Sequence, residues 1–315
     1  MAVFKNGDWM FNLSAYEKTL SDYVHYLPSA LPSFLYNGGY MAEGINSALV
    51  NSWNAVLQLQ TLRQVTPSNR PLAITWAHPN PNVVSLVRDR FGQFTGWNQL
   101  GSPPTFVQNK IRAYLQQSPT KFDLIQFGIA PTLSGAGSGN SALVQNYGLT
   151  AEALALMVGK LTESGLLSFT FLDAIPPKTS FKLLTNLLSS AKAEGADISQ
   201  HLMMIRGWQH GVLIYSKKPV DDRMVQGLLS FCDKFGFDPV YFSGISPNQV
   251  NQHNKLVNPY FYLGVLKLLG EQRDHLTSEY VYNIEANHDN SPYFFHFFRW
   301  QNFRYFFDQK DKGGV

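Results

Sequence analysis

Hydrophobic patterns typical of strands and of helices alternate along the chain from about residue 33 to residue 216. Short apolar runs next to Gly, Pro or Asn predict buried strands, and apolar residues at helical spacing predict helices between them. The predicted strands are Ser33–Tyr36, Leu72–Ala77, Thr105–Val107, Asp123–Phe127, Gly165–Leu172, His201–Arg206 and Val212–Ser216. The predicted helices are Ile45–Val65, Asn82–Phe91, Lys110–Gln117, Thr150–Leu161 and Ser180–Glu194.

This alternation predicts one parallel sheet with helices on both faces. Gly207 and Gly211 bracket a turn between the last two strands, which are therefore predicted to form an antiparallel hairpin. The fold class is α/β, with the Rossmann-like, seven-stranded pattern of the class I methyltransferase fold. We expect this domain over residues 33–218, helical regions at 1–32 and 219–292, and an aromatic tail at 293–315.

Composition narrows the class of protein further. The chain has 315 residues, of which 44% are hydrophobic and 15% charged, and its net charge of +3 does not indicate nucleic-acid binding. The one cysteine, Cys232, excludes an internal disulfide framework, and the eight histidines lack the spacing of metal ligands. No secretory signal and no run of 18 apolar residues is evident. We expect a cytoplasmic protein without a metal.

Four segments resemble the spermidine synthase-like proteins of bacteria, in particular the subgroup whose transferase domain adjoins membrane helices. They are NPNVVSLVRDRF, RAYLQQSPTKFDLIQF, HLMMIRGWQHGVLIYSKKP and SPYFFHFFRW, within Leu72–Trp300. The resemblance implies a Rossmann-like core that binds S-adenosylmethionine or its decarboxylated form. Such a core would transfer a methyl or aminopropyl group to an amine or a similar nucleophile.

The ligand positions implied by this resemblance depart from the family pattern. The segment NGGYMAEG offers Gly38 and Gly39 for the cofactor's glycine loop, and Glu43 as the nearby acid. His78 stands where an Asp or Glu should bond the ribose hydroxyls. The adenine-side acid is replaced by Lys110 or Ile111.

The substrate side is also short of carboxylates. The positions just beyond the fourth strand read Gly128–Pro131, where aminopropyltransferases place two Asp residues. The family's Asp-Asp-Arg-Pro survives only as Asp289–Pro292. Asp173, which ends the fifth predicted strand, is interpreted as a cap of the following turn rather than a site residue.

Two functions follow. A charge-assisted hydrogen bond contributes roughly 1.5–3 kcal/mol, so the loss of two carboxylate anchors predicts a catalytically degenerate domain with no cofactor. The alternative is an active transferase for S-adenosylmethionine or its decarboxylated form, with unusual contacts from Gly38, Gly39, Glu43, His78 and the Gly- and Ser-rich loop 130–146.

The tail suggests how a degenerate domain could be used. Ten of the fifteen residues in Tyr293–Phe307 are aromatic, which is more than a monomer readily buries. The first part, Tyr293–Phe298, is expected to pack on the domain. The expected docking residues for a membrane protein complex or another protein subunit are Phe298, Arg299, Trp300, Phe303, Arg304, Phe306 and Phe307.

Overall fold

The computed structural model describes residues 3–5, 8–10, 45–50, 72–85, 88–89, 104–129, 142–192, 197–208 and 210–303. The strands in these ranges are β1 (Val3–Lys5), β2 (Asp8–Met10), β3 (Ile45–Val50), β4 (Leu72–Ala77), β5 (Thr105–Val107), β6 (Phe122–Ile129), β7 (Leu161–Leu172), β8 (Leu202–Arg206), β9 (His210–Ser216) and β10 (Asp238–Tyr241). The α-helices are α1 (Pro81–Ser85), α2 (Ile111–Gln117), α3 (Ala151–Gly159), α4 (Thr179–Lys192), α5 (Asp222–Phe235), α6 (Tyr260–Leu269) and α7 (Arg273–Glu279). Short 3₁₀ helices span Ser199–His201, Pro247–Gln249 and Trp300–Asn302.

The main sheet has eight strands in the order β10-β8-β9-β7-β6-β3-β4-β5. Strands β3 to β7 are parallel to one another, and β9 is antiparallel to both β7 and β8. The chain runs outward from β3 to β5 and then returns to β6 on the other side of β3. Strand β7 follows beside β6, β9 lies between β7 and β8, and β10 forms the edge beside β8. This order confirms the predicted α/β class, the hairpin and the class I methyltransferase pattern.

The first strand of this sheet corrects the sequence prediction. A helix was expected to begin at Ile45, but Ile45–Val50 is the central strand β3, and the predicted strand Ser33–Tyr36 lies outside the described residues. All six residues of β3 pair with β4, and its last four pair with β6 as well. An apolar run of six residues is too short for its periodicity to distinguish a strand from a helix. The strand conformation is therefore determined by pairing with β4 on one side and β6 on the other.

Both terminal regions also differ from the helical prediction. Within residues 1–32, β1 and β2 form an antiparallel pair, and the rest of this predicted helical region lies outside the described residues. Within 219–292, helices α5, α6 and α7 are present, but β10 lies between them and pairs antiparallel with β8. The sheet therefore has eight strands rather than seven, and it continues past residue 218.

Helices cover both faces of the sheet, as the alternation predicted. Successive residues of the central strands enter different hydrophobic clusters: Ile125 packs with α3, α4 and α6, and its neighbour Leu124 packs with α5. In β7, Leu167 belongs to the same cluster as Ile125, and Leu166 belongs to the same cluster as Leu124. Side chains alternate across a strand, so a sheet buried on both faces needs apolar residues at consecutive positions.

Candidate functional site

Ligands of open α/β sheets bind at the carboxyl ends of the strands, beside the point where strand order reverses. That point lies between β3 and β6 here. The described residues at this edge are those that follow β4, β5 and β7, the loop 142–150 that leads into α3, and segment 283–296.

The cofactor's glycine loop is the first position to compare. Gly38, Gly39 and Glu43 lie outside the described residues, and in sequence they precede β3. The loop implied by the resemblance follows the first strand of the sheet. The assignment of these three residues to the cofactor loop therefore stays a prediction.

His78 directly follows β4. Its ring stacks on Trp76, with centroids 5.6 Å apart, and its Nδ1 accepts a hydrogen bond from the Asn80 backbone N–H at 3.0 Å. The same nitrogen also lies 3.4 Å from the Asn80 carbonyl oxygen. Burial lowers the pKa of His78, and the contact with the Asn80 carbonyl opposes that shift. His78 therefore supplies a hydrogen-bonding ring at this position, without the negative charge that an acid would supply.

The residues after β5 also lack an acid. No Asp or Glu occurs between residues 104 and 117. Lys110 is exposed, and its backbone N–H donates to Asn109 Oδ1 at 2.8 Å. Ile111 is buried in the core. Neither side chain can replace a carboxylate beside an adenine ring.

Asp173 lies after β7, where the predicted cap of the following turn also caps the first turn of helix α4. Its carboxylate accepts hydrogen bonds from the backbone N–H groups of Ala174, Lys178, Thr179 and Ser180 at 2.8–3.0 Å, and from Ser180 Oγ at 2.5 Å. Burial raises the pKa of this carboxyl, and the five donors act in the opposite direction. With so many partners within the chain, Asp173 is a structural group.

Asp289 is the surviving acid of the Asp-Asp-Arg-Pro motif, and it is held within the chain. Both of its carboxylate oxygens accept from Arg112 at 2.5 Å, and Oδ1 also accepts from Thr150 Oγ1 at 2.7 Å. The backbone N–H of Asp289 donates to Glu152 Oε2 at 3.1 Å, and the other Glu152 oxygen lies 2.9 Å from His288 Nδ1. These contacts attach segment 283–296 to the first turns of α2 and α3.

These contacts of Asp289 were not predicted from the sequence. Thr150 was predicted to begin a helix, and its side chain does accept from the Ala153 N–H at 3.3 Å. Arg112 is 177 residues from Asp289 in sequence, and no local pattern indicated the pair. The guanidinium of Arg112 holds the pKa of Asp289 below its usual value.

We expect Asp289→Asn to lower the free energy of unfolding by about 1 kcal/mol at pH 7, because the pair is bidentate but partly exposed. A carboxyl whose pKa is lowered by folding stabilises the native state above its usual pKa and loses that effect as the pH falls through the lowered value. The variant should therefore show a smaller loss of stability below about pH 4 than the parent chain. Urea unfolding at several pH values measures both effects.

Glu279→Gln is the matched control for this substitution, since Glu279 is an exposed carboxylate paired with His275. Its stability should match the parent at pH 7. Equal acid sensitivity of Asp289→Asn and the parent would contradict the assigned role of the Arg112 pair.

A cleft of about 500 Å³ opens between residues 142–143, helix α4 and segment 283–296. Lys182, which the sequence analysis did not single out, lies in its wall and is 2% exposed. The described residues contain no group of three or more His, Cys, Asp or Glu side chains that could hold a metal ion.

The aromatic tail is only partly available for docking. Phe294 is fully buried, and Phe298 is half-buried. The Arg299 guanidinium is 11% exposed and donates to the carbonyl oxygens of Thr277 and Ser278 and, at 2.9 Å, to Glu285 Oε1. The expectation that Arg299 faces a partner is therefore corrected, because these contacts direct its side chain inward.

Beyond Arg299, two aromatic side chains face solvent. Trp300 is 81% exposed and Phe303 is 50% exposed, and their rings stack with centroids 6.5 Å apart. Arg304, Phe306 and Phe307 lie outside the described residues. Among the helices that the structure describes, none is both long and apolar enough to cross a bilayer.

The order of the strands and the position of the reversal define a Rossmann-like domain of the class I methyltransferase architecture. No family model matches the chain, and no curated protein matches it. Solved structures do match. A spermidine synthase from Thermotoga maritima is 14% identical over 87% of this chain and 78% of its own, with a TM-score of 0.42.

Two further solved structures show the same range of similarity. A spermidine synthase in complex with the transition-state analogue AdoDATO is 14% identical over 87% of this chain and 77% of its own, with a TM-score of 0.41. An rRNA methylase from Streptococcus thermophilus is 9% identical over 59% of this chain and 93% of its own, with a TM-score of 0.37. The chain is thus similar in structure to spermidine synthases and methyltransferases at low sequence identity.

Proposed function

We propose that this chain is a catalytically degenerate domain with a spermidine synthase- and methyltransferase-like fold, which serves as a structural or binding subunit. It docks on a membrane protein complex through the aromatic segment that includes Trp300 and Phe303. The proposal has two parts, loss of the transferase site and use of the surface, and each has its own support.

The loss of the transferase site is supported on the substrate side by the environment of Asp289 and on the cofactor side by the missing acids. This carboxylate is the acid retained from the family's substrate motif, and Arg112 and Thr150 occupy both of its oxygens. A polyamine would have to displace a bidentate guanidinium to reach it. At the cofactor side, His78 stands where the family has an acid, and the chain from residue 104 to residue 117 carries no acid.

The energetic consequence is large for a small ligand. Two missing charge-assisted hydrogen bonds remove about 3–6 kcal/mol. Since 1.4 kcal/mol is a factor of ten, the affinity falls by roughly 10²–10⁴. A micromolar site for S-adenosylmethionine would become millimolar or weaker.

Titration calorimetry with S-adenosylmethionine and with its decarboxylated form tests this part. We expect no heat of binding at ligand concentrations below about 1 mM, by the arithmetic given above. Low-micromolar binding would contradict it and support the active transferase instead. In that case His78→Ala should weaken binding, and an unchanged affinity would exclude His78 from the site.

The docking part is supported by the exposure of Trp300 and Phe303 beside a segment that is itself well anchored. Large aromatic side chains contribute much of the binding energy at protein interfaces, and an aromatic pair held at a fixed position loses little entropy on binding. Arg299 contributes by fixing the start of the pair through its contacts with the last turn of α7 and with Glu285.

We expect the double substitution Trp300→Ser with Phe303→Ser to lower the membrane-bound fraction of the chain at least about fivefold, if these rings provide about 1 kcal/mol or more. The measurement is fractionation of the producing cells into membrane and soluble pools, quantified by immunoblot. Val257→Ser is the matched control, because Val257 is 95% exposed and is not one of the predicted docking residues.

An identical distribution of the double variant and the parent would contradict docking through this pair. Loss of membrane association in Val257→Ser as well would place the contact elsewhere on the surface and also contradict it. Thermal melts of all three chains should coincide, since the exposed side chains contribute little to the core.

A further inference from the structure

The cleft beside α4 has the size of a small-molecule site. Its volume of about 500 Å³ lies within the range of about 300–1,000 Å³ found for ligand pockets. Leu143, Lys182, Asn287, Tyr293 and His296 are among the residues that line it. The chain that forms it follows the carboxyl ends of β6 and β7, the edge of the sheet where this class of fold binds ligands.

Lys182 places an amino group in this cleft without a full set of partners. Its Nζ donates to the carbonyl oxygens of His296 at 3.0 Å and Tyr293 at 3.5 Å, and it lies 5.3 Å from the centre of the Phe297 ring. An ammonium group has three donors. In the described part of the chain, no carboxylate forms an ion pair with this nitrogen.

Asn287 adds a second donor, which has no acceptor. The Asn186 side chain fixes the orientation of the Asn287 amide: Asn287 N donates to Asn186 Oδ1 at 2.8 Å, and Asn186 Nδ2 donates to Asn287 Oδ1 at 2.5 Å. The Asn287 Nδ2 group is left buried, with no hydrogen-bond partner, in a residue that is 6% exposed. A buried donor without an acceptor destabilises the fold, and a ligand oxygen would satisfy it.

The charges around the cleft limit what this ligand can be. Glu285 also lines the cleft and lies 2.9 Å from Arg299, so its charge is already compensated within the chain. Burial lowers the pKa of Lys182 to about 7; the charge of Glu285 opposes this shift and that of Arg299 adds to it, each by less than burial. The cleft thus offers a ligand at most one positive charge, that of Lys182, which matches a monoanion.

We infer that this cleft binds a small organic carboxylate, which accepts hydrogen bonds from Lys182 Nζ and Asn287 Nδ2. A monoanion matches the single free charge, and its two oxygens match the two donors. A polyamine does not, because it would meet an ammonium group and an amide donor. The inference goes beyond the proposed function, since it requires neither docking nor the loss of a cofactor.

Saturation-transfer NMR with butyrate and the full chain tests this assignment, with inorganic phosphate and putrescine as competing probes. We expect a butyrate signal that phosphate and putrescine do not displace. Lys182→Met removes the amino group and keeps an unbranched apolar side chain. Asn287→Asp keeps the oxygen that Asn186 requires but replaces the free donor with an acceptor. Each variant should weaken butyrate binding about tenfold or more, which corresponds to about 1.4 kcal/mol or more.

Lys110→Met is the matched control, because Lys110 is an exposed lysine at the start of α2, and it should bind butyrate like the parent. Trace acetylation of the unmodified chain gives a readout that does not depend on any variant being folded. Butyrate should slow acetylation of Lys182 at least about threefold, as expected when two thirds of the sites are occupied, and leave Lys110 unaffected.

Equal butyrate binding by the parent and both cleft variants would overturn the inference. So would displacement of butyrate by putrescine, or acetylation of Lys182 that is insensitive to butyrate. Stronger binding of phosphate than of butyrate would overturn the carboxylate assignment.

Discussion

Replacing Asp238 by Ala is expected to lower the free energy of unfolding by about 3–5 kcal/mol, because it leaves three backbone N–H groups without their acceptor and a buried guanidinium without its counter-charge. Asp238 is fully buried at the start of β10. It accepts from the backbone N–H groups of Gln252, His253 and Asn254 at 2.5–2.9 Å.

Arg206 of β8 completes this network. Its Nη2 lies 3.5 Å from Asp238 Oδ2, and the same nitrogen donates to Asn251 Oδ1 at 2.8 Å and to the carbonyl of Asn254. The carboxylate therefore joins the outer strand, its neighbour β8 and the turn 251–254. Removing one partner of a buried charge pair costs more than the pair contributed, because the other charge stays buried.

Urea unfolding followed by circular dichroism measures this change as a lower midpoint with a similar slope. Asp233→Ala is the matched control, since Asp233 is 83% exposed near His253, and its unfolding curve should overlay that of the parent within about 0.5 kcal/mol. A loss below about 1 kcal/mol for Asp238→Ala would show that the network does not hold β10 in place.

The second large effect is expected at Asp173. Asp173→Ala should lower the free energy of unfolding by about 2–3 kcal/mol, because it removes the side chain that caps α4 and accepts five hydrogen bonds. Burial lowers the pKa of Lys178, and the charge of Asp173 opposes that effect, so the substitution also removes a compensating charge from a half-buried lysine.

Thermal and urea unfolding of Asp173→Ala measure the loss, and Asp197→Ala provides the control. Asp197 caps an exposed turn through Ser199 N and Oγ at 2.9 and 3.0 Å, so it preserves the type of contact at a solvated site. Its cost should be about 1 kcal/mol or less. If Asp173→Ala is as stable as the parent, the carboxylate is not a cap, and a role in a ligand site becomes the better explanation.

The elements that were predicted correctly are those that local sequence signals define. Helix α3 was predicted as Thr150–Leu161 and is observed as Ala151–Gly159, and the β8–β9 hairpin formed around Gly207 and Gly211 as expected. These elements are defined by a cap, a periodic apolar face or a turn. Such signals lie within a dozen residues of one another.

The errors occur where distant segments decide the outcome. Ile45–Val50 is a strand because β4 and β6 pair with it on both sides, which no window around residue 45 could reveal. Likewise, Lys182 reads in sequence as an ordinary polar position of an amphipathic helix. Only the folded chain brings Asn287 to the same cleft and buries both side chains.

In the candidate site, too, local features were predicted from the sequence and long-range contacts were not. The sequence correctly placed His78 at the end of β4 and left the chain after β5 without an acid. It could not show that Asp289 is occupied by Arg112, because the two residues are 177 positions apart. The absence of acids after β4 and β5 can be read from the sequence. Only the fold shows that the remaining acid, Asp289, is paired with Arg112.

The two outermost strands of the main sheet are unusually poor templates for another chain. β5 has three residues and β10 has four, and Pro239 in β10 has no N–H group to donate. Short edges and an edge proline discourage a strand from a second molecule from extending a sheet. Assembly through this sheet is therefore disfavoured, and the chain should resist the edge-to-edge aggregation to which open sheets are prone.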